Sequence, residues 1–184
     1  MEAPMKKISV RTLTRCAVIA ALYAAVSIAM LPLAFGAVQA RVSEALTLLP
    51  VLTPLAVPGV TIGCLITNAY GVAAGANILG AADILLGTAA TLAAALLTRA
   101  LRRFTVFGLP LPASLPPVLL NAVVVGGELT WAEANTLHTP LLWVNMAQVG
   151  LGQLVSCMVL GVLLVWTLKK SGLDVRLFGR EQAE

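Results

Sequence analysis

Charge is banded along this chain. Residues 16–34 carry none, and neither do residues 45–82. Basic residues come in three groups: Lys6, Lys7, Arg11 and Arg15; Arg99, Arg102 and Arg103; and Lys169, Lys170, Arg176 and Arg180. A helix that crosses a bilayer needs ~20 predominantly apolar residues, within a range of ~17–25. The pattern predicts a first span over about 13–33 and a last over about 141–168, stopped by Lys169 and Lys170. Another is predicted over about 116–131, entered through Pro116 and Pro117.

Residues 45–98 fit either two long spans or three short ones. The excess of Lys and Arg on cytoplasmic loops arbitrates. If the first two basic groups share a side, an even number of spans separates them, so this region holds three. Pro50, Pro54 and Pro58 mark one break and Gly75, Asn77 and Gly80 the other. The resulting spans are about 43–55, 57–76 and 80–98. The first is too short to cross untilted, so it must be tilted or surrounded by protein at its ends. The expectation is a single all-α integral membrane domain over 1–184, with six transmembrane helices and both termini cytoplasmic. Eleven of the twelve Lys and Arg then fall on the cytoplasmic side. The exception is Arg41, in "GAVQARVSEAL" (36–46), while Glu44, Asp83, Glu128 and Glu133 fall on the outer half.

Composition strengthens this reading. The chain is 59% hydrophobic and 11% charged, against ~25% charged in an average protein, and its mean hydropathy is +0.95. That much apolar surface excludes a soluble domain, and the length leaves no room for a second globular one. Cys16, Cys64 and Cys157 are isolated in apolar runs with no CxxC or Cys/His cluster. No metal or redox site is expected, and the cysteines read as small apolar fillers. The basic start and "AVQA" (37–40) have the look of a secretion signal. A signal's apolar core is only ~7–15 residues, whereas Cys16–Ala34 is nineteen, so a retained first helix is expected. No phosphate-binding GxxxxGK[ST] occurs, nor HExxH or GxSxG. Any energy for transport must come from a partner or an ion gradient. No cofactor, metal or nucleic acid is expected.

Polar side chains inside membrane helices cost free energy unless paired or turned to a cavity, and ionisable ones mark candidate sites. Asn68 falls on the third span. Asp83 opens the fourth and begins a small, polar stripe with Gly87, Thr91 and Ala95. Asn121 and Glu128 share a face of the fifth span. Asn145, Gln148, Gly152 and Ser156 share a face of the sixth, with Gln153 beside it. Most of these groups lie in the outer half. With Gln39, Arg41 and Glu44 they would line an outward-facing pocket for a flat solute rich in hydrogen-bonding groups. Tyr70, Trp131 and Trp143 are candidates for stacking or a lid. Each has a plainer reading as well: amides bond neighbouring helices, Glu44 and Asp83 cap helix starts, Glu44 pairs with Arg41, and the tryptophans anchor at the interface. Glu133 and His138 read as solvated loop residues. On the first span Ala17, Ala21, Ala25 and Ala29 recur every four residues. Small residues at this spacing let helices approach closely, either within the chain or against a partner.

"GAVQARVSEALTLLP" (36–50) brings in a resemblance. With Gly36, Gln39, Arg41, Ser43 and Glu44, with "LTPLAVPGVTIGCLITN" (52–68), "DILLGTAATLAAALLTR" (83–99), "LPPVLLNAVVVGGEL" (115–129) and "VGLGQLVSCMVLG" (149–161), the chain resembles the QueT family. These are the queuosine-precursor-specific substrate-binding (S) subunits of energy-coupling factor (ECF) transporters. The likeness runs from about 12 to 168. It implies six helices with an extracellular-side pocket, a 7-deazaguanine solute such as the 7-cyano or 7-aminomethyl form, a transmembrane coupling subunit and two ATPases. It also implies that the alanine stripe meets the coupling subunit. One departure is Gln153, where the family often has Glu, which lowers the expected preference for a cationic aminomethyl group. The function expected is therefore a non-enzymatic substrate-binding subunit of an ECF-type importer, multi-pass in a bacterial plasma membrane. The alternatives are an S subunit for another planar solute or vitamin, a membrane-embedded enzyme using Asp83 and Glu128 as an acid–base pair, and a closed structural subunit.

Overall fold

The computed structural model describes residues 9–31 and 41–179, and every regular element among them is helical. Helix α1 (Val10–Ala29) is started by Ser9, whose hydroxyl accepts from the Arg11 amide at 3.2 Å. Then come α2 (Val42–Val51), α3 (Ala56–Ala73) and α4 (Ala81–Ala100), the last extended by a 3₁₀ turn over Leu101–Arg103. A tight turn follows in which Val106 and Leu109 exchange backbone hydrogen bonds across Phe107 and Gly108, both with positive φ. Helices α5 (Leu111–Ala134), α6 (Leu141–Ser171) and the short α7 (Leu173–Phe178) complete the fold.

Contacts fix the helix directions. Gly59 lies against Cys16 and Ile19, and Gly63 against Ala20 and Tyr23, so α1 and α3 run parallel. Thr91 reaches Cys64 while Asn68 reaches the Asp83 carbonyl, so α4 runs back along α3. Cys157 of α6 meets Glu44 and Gly161 meets Ala45 and Leu48, which makes α6 parallel to α2. Helices α1, α3, α4, α5 and α6 are neighbours in that order around a horseshoe, and α2 stands inside, touching all five. Its central place explains its composition. All but two of its residues, Val42 and Leu46, are buried, as expected of a helix apolar on every side.

Among the described residues five helices are long and apolar enough to cross a membrane: α1, α3, α4 with its 3₁₀ turn, α5 and α6. Helix α2, expected to reach residue 55, stops at Val51 and is a ten-residue 3₁₀ helix rather than an α-helix. At a rise of ~2.0 Å per residue it covers about 20 Å, against ~30 Å of hydrocarbon core. Its far end is closed by protein: the Arg99 guanidinium donates to the Pro50 and Val51 carbonyls at 3.1 and 3.4 Å.

Two expected boundaries move for local chemical reasons. Helix α5 starts at Leu111, not at its proline pair, and Pro116 and Pro117 lie inside it. A proline has no N–H for the carbonyl four residues earlier. For Pro117 that carbonyl is Ala113's, and Thr98 Oγ1 of α4 donates to it at 2.9 Å. Helix α5 also continues through Glu133, which is exposed on its last turn rather than in a loop. Within α6, Leu154–Gly161 adopts the wider π hydrogen-bonding pattern, where the helix lies against α2.

Candidate functional site

The start of α2 is where the buried charges meet. Arg41 has an extended backbone and precedes the first helical residue. Its guanidinium Nη2 pairs with Asp83 Oδ2 at 3.3 Å, and the two side chains are 4% and 0% exposed. Asp83 sits in the first turn of α4, behind Gly80, whose φ of 67° an L side chain rarely adopts. Asn77 in the loop before α4 donates to the same Oδ2 at 2.7 Å and accepts from the Leu79 amide. From α3, Asn68 Nδ2 donates to the Asp83 carbonyl at 2.8 Å. The other carboxylate oxygen, Oδ1, lies directly over Gly87, where a Cβ would displace it. The i, i+4 stripe of Asp83, Gly87, Thr91 and Ala95 is thus fully buried. Its small members leave room for Cys64 and Asn68 of α3, which touch Thr91, Gly87 and Asp83.

Glu44, one turn into α2, is not the partner of Arg41 in an ion pair. It accepts from Tyr23 Oη of α1 at 2.5 Å. Beside it Ser27 donates to Ser43 at 2.6 Å, which ties α1 to α2 a second time. Asn121 of α5 lies near Glu44 without a hydrogen bond from its Nδ2, and the charges of Arg41, Glu44 and Asp83 act on one another. Five of the ten expected solute-binding residues, Arg41, Glu44, Asn68, Asp83 and Asn121, are therefore brought together from four helices.

Several polar atoms of this cluster are buried with no hydrogen-bond partner among the described residues: Glu44 Oε2, Asn68 Oδ1, Asp83 Oδ1 and Asn121 Nδ2. A buried polar atom left unsatisfied costs about 1–3 kcal/mol, more if charged. Three acceptors and one donor of the cluster thus retain hydrogen-bonding capacity that no described residue takes up. Charge leans the same way, since one guanidinium faces two carboxylates.

Glu128 lies one step outward. Both of its oxygens lack a partner among the described residues, and it senses the charges of Asp83 and Arg41. It is the charged residue lining a cavity of about 700 Å³ between α4 and α5, whose walls include Ala82, Leu86, Val124 and Trp131. Tyr70, Trp131 and Trp143 are exposed.

The remaining expected residues go elsewhere. Asn145 donates to Thr130 and Glu133 of α5 at 3.2 and 3.1 Å, a bond between neighbouring helices. Gln153 is buried and accepts from Cys157 Sγ, which also reaches the Glu44 carbonyl. Gln148 is half-buried on α6. Gln39 lies outside the described residues. Ala17, Ala21, Ala25 and Ala29 are all exposed, whereas Ala20 and Ala24 beside them are buried. Among the described residues the four-residue stripe is thus left uncovered.

Sequence reasoning missed Tyr23, Ser27, Ser43 and Asn77 as members of the cluster. A signal for two of them was present. Tyr23 and Ser27 stand four residues apart on the face of α1 turned away from the alanine stripe, the spacing of one buried helical face. Asn77 is an Asx turn residue whose side chain is shared between its own loop and Asp83.

A family model described as QueT transporter matches residues 13–170, most of the chain. No curated protein and no solved structure matches it.

Proposed function

This chain belongs to the QueT transporter family, and we propose that within it the protein is the substrate-binding subunit of an ECF-type importer, taking up a 7-deazaguanine queuosine precursor. The family is one of transporters, which points away from reading Asp83 and Glu128 as a catalytic pair. The observation that carries the proposal is the set of unpartnered polar atoms around Arg41 and Asp83. A 7-deazaguanine has amino and ring N–H groups for the oxygens of Glu44, Asn68 and Asp83, and a carbonyl for the Asn121 amide or Arg41. Satisfying those atoms replaces a standing desolvation cost with hydrogen bonds, which is how a small solute can be held tightly in an apolar surround.

Orientation follows from charge. Nine of the twelve Lys and Arg are among the described residues, and eight of the nine lie at the end of the bundle where α1, α3 and α5 start. Cytoplasmic loops carry that excess, so this end faces the cytoplasm and the Arg41 cluster faces outward, with α2 as a sixth, protein-enclosed crossing. Both chain ends are then cytoplasmic, and the membrane is the bacterial plasma membrane. The exposed alanine stripe of α1 is the face on which the coupling subunit docks, and that subunit carries two ATPases. The test is thermal stabilisation of the purified chain across a panel of 7-cyano- and 7-aminomethyl-7-deazaguanine, guanine and several planar vitamins. Stabilisation by a 7-deazaguanine, and not by guanine or the vitamins, is expected. Stabilisation by a vitamin alone would overturn the solute assignment, and stabilisation by none would overturn the binding site.

A further inference from the structure

A second open feature of the bundle lies in a different region. Helices α1 and α6 do not pack closely against each other, and the gap between them is a groove of about 780 Å³. That is within the ~300–1,000 Å³ range of small-molecule sites. Its floor is α2, through Leu46 and Leu49, and its walls are aliphatic, among them Val18, Leu22, Leu164 and Leu168. One end is different. There α7 folds across, held by a hydrogen bond from Arg15 Nη1 to the Phe178 carbonyl at 3.1 Å. Arg11, Arg15 and Arg176 are the charged residues among those that line the groove, and they belong to the start of α1 and to α7, at that end. Asp174, the acid on α7, is not among the lining residues.

We propose that this groove binds one anionic phospholipid, with an acyl chain along the aliphatic walls and its phosphate on Arg11, Arg15 and Arg176. Three features favour that occupant. The apolar part has no polar side chain along its length except Thr14 near the basic end, so it suits hydrocarbon and offers nothing to a polar solute. The cations are gathered at one end, at the level where α1 starts and α6 finishes, which is headgroup depth for helices of this length. Arg15 gives one N–H to Phe178 and keeps four of the five donors of a guanidinium, while Arg11 and Arg176 are exposed. Basic pockets between transmembrane helices at the cytoplasmic face are suited to anionic headgroups.

The test uses the whole purified chain in detergent, with native mass spectrometry reading retained lipid. The probes are phosphatidylglycerol, phosphatidylcholine with the same acyl chains, and glycerol phosphate as a headgroup without chains. One phosphatidylglycerol per chain is expected to be retained over phosphatidylcholine, and glycerol phosphate not at all. At ~1 kcal/mol per basic residue near a phosphate surface, Arg11→Gln and Arg176→Gln should each lower the preference for phosphatidylglycerol by about fivefold, at 1.4 kcal/mol per decade. Val18→Trp, which fills the groove from an exposed position, should lower retention of both lipids. Equal retention of the two lipids, or tight binding of glycerol phosphate alone, overturns the proposal. So does an undiminished preference in the double arginine variant. If these variants instead lose association with a coupling protein while lipid retention is unchanged, the groove is a protein face and the lipid assignment falls.

Discussion

Replacing Asp83 by Asn separates what the Arg41–Asp83 pair does for folding from what it does for binding. The pair is almost wholly buried, so the substitution leaves the Arg41 charge without its carboxylate. Breaking a buried pair from one side costs about 3–5 kcal/mol. For a chain of this size, at roughly 2–4 °C per kcal/mol, that lowers the midpoint of thermal unfolding by roughly 6–20 °C. Removing the second charge as well, in Arg41→Met/Asp83→Asn, takes away the cation that lost its ion-pair partner, and replacing both members of a buried pair is often neutral. Most of the lost stability should therefore return in the double variant. Binding should not. If both groups hydrogen-bond the solute, losing either charged partner removes about 1.5–3 kcal/mol, equivalent to ~10- to 150-fold weaker binding. Calorimetric titration with 7-cyano-7-deazaguanine, run beside thermal unfolding for wild type, both singles and the double, reads the two effects independently. A double variant that binds like wild type would refute the site and leave the pair a structural device. A single Asp83→Asn variant as stable as wild type would refute the buried ion pair itself.

The other predictions concern the frame around the site. Ala21→Leu, on the exposed stripe of α1, should leave ligand-induced thermal stabilisation intact while abolishing uptake by cells that express the coupling subunits. Loss of binding with uptake retained would remove the stripe as a docking face. Thr98→Val should destabilise by about 1–3 kcal/mol, because the Ala113 carbonyl that Pro117 cannot serve loses its donor. Thr98→Ser should restore the wild-type midpoint. At Gly63 a Cβ would stand 2.6 Å from Tyr23 Cβ and 2.9 Å from the Ala20 carbonyl. Gly63→Ala should thus cost about 1–3 kcal/mol of overpacking and weaken solute binding by moving Tyr23 off Glu44, read by calorimetry. A single cysteine at 133 should react with an impermeant maleimide on whole cells, and one at 103 only after permeabilisation. The reverse pattern would invert the proposed orientation.

How far the sequence could be read varies by element. Most of the long helices were legible because charge bounds their apolar runs, α3 because proline and glycine breaks divide the charge-free stretch 45–82, and the neighbourhood of Arg41 because so few charges lie in the outer half. The form of α2 was not. Propensity and length argued for a short, tilted α-helix, but its 3₁₀ winding depends on neighbours on every side. The pairing inside the site was also hidden. Arg41 and Glu44 are three residues apart, and proximity suggested a local pair, yet each bonds across the bundle, to Asp83 and Tyr23. The start of α5 differs from the expected proline entry because Thr98 on α4 takes up the carbonyl that Pro117 frees, a donor on another helix that local sequence does not reveal. Asn145 shows the converse. Its spacing on α6 fitted a pocket, and its amide is given to α5.

The shortness of α2 bears on the distance a cargo travels. Arg41 and Glu44, the residues proposed to face the solute, stand at one end of this helix and the Arg99 contact closes the other, so about 20 Å of rise separates them, compared with ~30 Å for the hydrocarbon layer. In the proposed orientation a bound solute has already descended about a third of the way through the barrier before any partner acts. What remains to be opened is a plug of densely packed aliphatic side chains, Leu48, Leu49, Val51 and Leu52, with no charged group in it. Release therefore requires moving that plug aside or turning the whole subunit so that the solute goes around it. It does not require a second polar station further down.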